Sequence, residues 1–127
     1  PSVSSTPLLL MAGVLFWVAG FDVLYSCQDT DFDRSIGIHS VPARVGIPKA
    51  LSLARVAHVI SFVCFALVGT SAALGMIYFV GLLPIGALLA YQHTLVSPQD
   101  LSRINRAFFT VNGFVSVAYL ALVAIAY

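Results

Sequence analysis

The sequence predicts an all-α, polytopic transmembrane helix bundle of about four spans. Three observations lead there. The 127 residues are 60% hydrophobic and only 9% charged, against about 25% charged residues in soluble domains. Mean hydropathy is +0.99. The few charges gather in two polar stretches that separate long apolar runs. With a net charge of +1, there is no basic field for nucleic acid, so each charge needs a local explanation. Four of the five acids, Asp22, Asp29, Asp31 and Asp33, lie close together, and the chain has no glutamate.

The first span covers residues 8–26, whose only charge is Asp22 near its end; at 1.5 Å per residue such a segment matches a hydrocarbon core of about 30 Å. Residues 27–49 then combine Asp, Arg, His and Lys with Gly37, Pro42, Gly46 and Pro48, which is too broken for one helix. Val56 to Tyr91 contains no formal charge and is too long for one crossing, so it must fold back. Gly69-Thr70-Ser71 is the expected turn, between spans at 50–68 and 73–91. Pro84 in the third span, flanked by Gly81 and Gly86, predicts a kink. A second polar loop occupies 92–106, and 107–127 forms the fourth span. The whole reads as a single transmembrane domain, and the opening at Pro1, without Met or a charged leader, reads as a fragment. Cys27 and Cys64 form no disulfide or metal pattern and read as small buried hydrophobes.

Arg34, Arg44, Lys49, Arg103 and Arg106 all fall in the two polar loops. By the positive-inside rule both loops are expected to be cytoplasmic, with the termini on the outer side.

On a helix, Asp22, Tyr25, Asp29 and Asp33 share one narrow face, since they follow at spacings of three, four and four, while Asp31 points away. Carboxylates at a membrane edge cannot all ionise side by side without a cation. Oxygen ligands alone suit hard Mg²⁺, which commonly shares its shell with phosphates. Arg34 and Arg44, with His39 and Lys49, are then placed to hold diphosphate oxygens. The competing reading has Asp29, Asp31 and Asp33 solvating a loop and pairing with Arg34 and Arg44. It leaves Asp22, inside an apolar span, unexplained.

The run Asp22-x-x-Tyr25-x-x-x-Asp29-x-x-x-Asp33 resembles the second aspartate-rich motif of the UbiA superfamily of intramembrane aromatic prenyltransferases. The block Gly37-Ile38-His39-Ser40-Val41-Pro42-Ala43-Arg44-Val45-Gly46 resembles the segment that follows that motif in the family. The resemblance implies that the fragment is C-terminal, the last four helices of a nine-helix fold, with the remaining N-terminal helices supplying a first motif that is absent here. It implies Asp29 and Asp33 as Mg²⁺ contacts, Asp22 and Tyr25 as catalytic residues lining the cavity above them, and Arg34, His39 and Arg44 as diphosphate-binding. The implied reaction is Mg²⁺-dependent transfer of a polyprenyl group from its diphosphate to an aromatic acceptor. That acceptor is 4-hydroxybenzoate or, from the His39 variant of the block, a dihydroxynaphthoate, as in ubiquinone or menaquinone biosynthesis. The implied place is a bacterial inner membrane. Without the first motif, the fragment alone is expected to be inactive.

Tyr25 admits three roles: ring-face stabilisation of a carbocation, orientation of a carboxylate, or an interfacial belt residue. Arg55 and His58 in the second span, and Asn105, Arg106 and Asn112 at the fourth, are expected to face the bundle interior, with Arg55, Asn105 and Asn112 lining the cavity, although Arg55 also suits snorkelling to headgroups. His93 and Asp100 read as solvated loop residues. Asn112-Gly113 reads as a step permitting close helix approach. A different class of function, a non-enzymatic transporter or cation-binding membrane protein, would use the same acids as a permeation site.

Overall fold

A computed structural model describes residues 5–27, 35–37, 40–95, 101 and 106–126. Among the described residues the complete α-helices are α1 (Ser5–Ser26), α2 (Val41–Val45), α3 (Ile47–Ser71), α4 (Met76–Thr94) and α5 (Asn112–Ala126). A π-helical turn, Arg106–Val111, runs directly into α5. Among the described residues four segments are long and apolar enough to cross a membrane: Ser5–Ser26, Ile47–Ser71, Met76–Thr94 and Phe109–Ala126. The expected helical transmembrane bundle is the observed architecture.

α1 and α3 pack antiparallel along their full length, because α1 places small residues on one face at a seven-residue interval. A Cβ at Gly13 would lie 2.7 Å from the Phe65 ring, and one at Gly20 would run into the His58 ring. The backbones therefore approach closely enough for side chains to bond across them. Thr6 and Ser71 hydroxyls meet at 2.6 Å, and the Ser61 hydroxyl donates to the Gly13 carbonyl at 2.6 Å. Tyr78 joins α4 to this pair by donating to the Phe65 carbonyl at 2.7 Å, and its oxygen lies 2.7 Å from the Tyr119 hydroxyl on α5.

The polar segment between the first two spans contains more helix than expected. Ser40 caps α2 by accepting from the Ala43 N–H, and Pro42 sits in the first turn, where no donor is needed. Gly46, at φ 90°, breaks the chain, and Pro48 restarts it as α3 three residues earlier than expected.

The turn between α3 and α4 is also displaced. Gly69-Thr70-Ser71 is helical, and the chain reverses over Ala72–Gly75. The Leu74 N–H bonds the Gly69 carbonyl at 2.9 Å and the Ala73 N–H bonds that of Thr70 at 3.2 Å, with Ala73 at φ 56°. This is the Schellman arrangement, with alanine in the left-handed position usually given to glycine. Gly69 serves packing instead: a Cβ there would be 2.6 Å from the Tyr78 ring. α4 runs unbroken through Pro84 to Thr94, so Gln92 and His93 are helical. Gly81 and Gly86 face Leu122 and Phe62, while Gly113 has open space around it, so it makes no close helix approach among the described residues.

Candidate functional site

The up-and-down course of the helices brings the C-terminal ends of α1 and α4 together with the N-terminal ends of α3 and α5. Every described residue nominated from sequence lies toward this end. Asp22 is exposed and Tyr25 half-buried in the last turns of α1. Arg44 is exposed in the last turn of α2, which packs on α1 and α3. Arg55 is exposed in the third turn of α3. Asn112 is half-buried where the π-helical turn passes into α5, and its Oδ1 has no hydrogen-bond partner among the described residues. π-Helical turns of this kind recur at functional sites.

Asp29, Asp31, Asp33, Arg34, His39 and Asn105 lie outside the described residues. The stripe is therefore seen only in its first two members, Asp22 and Tyr25, and one of its three acids. Among the described residues Asp22 is the one carboxylate side chain, and no group of three metal-ligating side chains occurs.

A polar cluster at this end was not legible as such in the sequence. His58 is 3% exposed. Its Nε2 lies 3.2 Å from the Trp17 carbonyl oxygen, which can only accept, so Nε2 carries the proton. In the neutral ring Nδ1 must then accept, and His93 Nε2–H donates to it at 2.7 Å. The Gln92 amide lies 3.5 Å from the same Nδ1. That leaves His93 Nδ1 and Gln92 Oε1 as buried acceptors without partners among the described residues. Phe21 and His93 both meet the His58 ring edge to face, at centroid distances of 4.9 and 4.8 Å. His93 is thus a helix-packed, hydrogen-bonded residue and not a solvated loop residue. The signal was the spacing Ile85, Leu89, Gln92, which continues the buried face of α4 past its last apolar residue.

Beside this cluster a groove of ≈ 730 Å³ opens between α3 and α4. Arg55, His58, His93 and Thr94 line one end, and Phe62, Val63 and Leu83 belong to its apolar walls.

Residues 1–125 match the model of the UbiA prenyltransferase family. The chain is 30% identical over 116 residues to a 4-hydroxybenzoate octaprenyltransferase of Chromohalobacter salexigens, covering 90% of this chain and 39% of that protein. It is 31% identical over 119 residues to the Marinobacter nauticus protein of the same name, covering 92% and 40%. For that of Pseudomonas fluorescens the figures are 31% over 104 residues, 82% and 35%. The chain therefore spans about two fifths of the length of these relatives. No solved structure matches it. The family match over nearly the whole chain, on four membrane-length helices, establishes that this chain belongs to the UbiA prenyltransferase family.

Proposed function

We propose that the complete protein transfers a polyprenyl group from its diphosphate to an aromatic hydroxy acid, and that this chain supplies the second half of the site. The observation that carries this reading is the gathering of Asp22, Tyr25, Arg44 and Arg55 at one end of a chain of the UbiA family. The names of the relatives favour 4-hydroxybenzoate as acceptor; a dihydroxynaphthoate is the alternative raised by His39.

In this account Asp29 and Asp33 hold Mg²⁺, which when bound neutralises diphosphate oxygens and makes the diphosphate a better leaving group. Arg44, carried on a capped helix between Pro42 and Gly46, presents a guanidinium fork for phosphate oxygens. Arg34 and His39 add donors from the same segment. Asp22 sits one helical turn before Tyr25 on α1, where its carboxylate stabilises developing positive charge, and the Tyr25 ring face does the same for an allylic cation. Asn112, half-buried where the π-helical turn passes into α5, lines the cavity on the side of α5. The helices preceding this chain supply the other acidic motif, and the polar loops face the cytoplasm of a bacterial inner membrane.

The test is turnover by the full-length protein in membranes, given a polyprenyl diphosphate and either acceptor. Asp29→Ala and Asp33→Ala are expected to abolish transfer. Turnover that survives both substitutions contradicts the proposed roles.

A further inference from the structure

Three helices meet at the His58 imidazole, one turn before the α1 residues to which the proposed chemistry is assigned. His58 is buried on α3. Its Nε2–H points at the Trp17 carbonyl of α1 at 3.2 Å, and its Nδ1 takes the His93 Nε2–H of α4 at 2.7 Å. Gln92, also buried on α4, sets its amide nitrogen 3.5 Å from the same Nδ1. With two N–H groups of α4 presented to Nδ1, the proton of the neutral ring is kept on Nε2, the tautomer that donates to α1. The contact is steric as well. Gly20 has no side chain to hold the ring away from α1, and the Phe21 ring meets it edge to face at a centroid distance of 4.9 Å. Asp22 follows Phe21 directly, and Tyr25 lies one helical turn beyond Phe21 on the same side of α1.

A phenylalanine at position 58 would fill this space in an apolar bundle without needing partners. The imidazole adds direction, because hydrogen bonds weaken steeply off their axis and a satisfied polar network selects one arrangement of the helices it joins. We propose that His58, held in its donating tautomer by His93, is a positioning residue. It fixes the rotation of the last turns of α1 about their axis, so that Asp22 and Tyr25 stand where the reaction needs them. The value of that placement for catalysis rests on the function proposed above; the placement itself does not.

The experiment uses the full-length protein in phosphatidylcholine nanodiscs, below the unfolding midpoint of each variant, and takes two readings. One is steady-state transfer from a polyprenyl diphosphate to 4-hydroxybenzoate, normalised to folded protein. The other is the fluorine resonance of 3-fluorotyrosine at position 25, assigned by its absence from Tyr25→Phe. His58→Phe keeps an aromatic ring and loses both hydrogen bonds. It is expected to lower kcat at least about tenfold, as displacement of reacting groups by about 1 Å can, and to shift or split the Tyr25 resonance. KM for the diphosphate is expected to change less than about threefold. His58→Gln offers one donor and one acceptor, as the neutral imidazole does. It is expected to bring kcat back to within about threefold of wild type, with the Tyr25 resonance at its wild-type position. Should His58→Phe fail to fold, His93→Phe frees the tautomer and is expected to show a kcat loss of about threefold or more and the same change of resonance.

A kcat for His58→Phe within about twofold of wild type, or a His58→Gln variant as impaired as His58→Phe, overturns the assignment. So does a Tyr25 resonance that none of these variants moves. If wild type transfers no prenyl group, yet the resonance moves in His58→Phe and returns in His58→Gln, the placement stands and the proposed function fails. If wild type and His58→Phe transfer the group equally fast, the function stands and the positioning role fails.

Discussion

His58 and His93 share a 2.7 Å hydrogen bond between α3 and α4, while the other nitrogen of His58 reaches the Trp17 carbonyl on α1. One imidazole thus joins three helices. Its removal costs two hydrogen bonds and leaves a carbonyl and an imidazole donor bare in an apolar setting. His58→Phe is expected to destabilise the fold by about 1–3 kcal/mol in detergent unfolding. His93→Phe removes only the outer bond and is expected to cost less, about 0.5–1 kcal/mol. A larger loss for His93→Phe than for His58→Phe would contradict this arrangement.

Gly20 lies against the same ring, and a Cβ there would run into His58. Gly20→Ala must push α1 away from α3, at a cost of about 1–3 kcal/mol for overpacking. Nuclear magnetic resonance of labelled histidine would show the His58 signals shifting. An unchanged midpoint and unchanged signals would mean that α1 and α3 are less closely packed here.

The turn between α3 and α4 yields opposite predictions for two small residues. Ala73 occupies a left-handed position at φ 56°, so Ala73→Gly is expected to stabilise by up to about 1 kcal/mol. Gly69→Ala, four residues earlier, is expected to destabilise, because its Cβ would lie 2.6 Å from the buried Tyr78 ring. Equilibrium unfolding of the two variants checks both signs.

Cys27, just past the end of α1, is buried, which pushes its thiol up from an ordinary 9.0 to about 11. It stays protonated near neutrality, and its alkylation by maleimide is expected to be slow there. The folded state holds this proton more tightly than the unfolded chain. The resulting stabilisation is complete below pH 9.0 and is lost as pH rises through about 11. Rapid native-state labelling at pH 7 would contradict the burial.

Much of the bundle was legible because membrane-length apolar runs leave helix as the way to satisfy the backbone. Their ends were less so. Gly69 looks like a breaker, yet its missing side chain admits Tyr78 and Phe79 rings; one glycine suits either purpose, and only the packing partner decides. His93 looked like a loop residue because the apolar run stops before it. Its burial depends on His58, thirty-five positions away, a pairing that no local pattern displays. For the candidate site, spacing and resemblance nominated Asp22, Tyr25, Arg44, Arg55 and Asn112, all at one end of the bundle. Arg55 and His58 were legible as inward-facing polar residues, but their meeting with His93 along one groove was not, since these residues come from two helices whose mutual rotation is set by packing.

If the acids at the end of α1 and beyond it serve a metal-bound diphosphate, as proposed, the full-length protein will bind a non-hydrolysable prenyl diphosphate only with Mg²⁺ present. Titrated with and without the ion, that affinity is expected to require Mg²⁺ and to fall at least about tenfold in Asp29→Asn and Asp33→Asn. Tight binding without the ion, or full affinity in both variants, would contradict it.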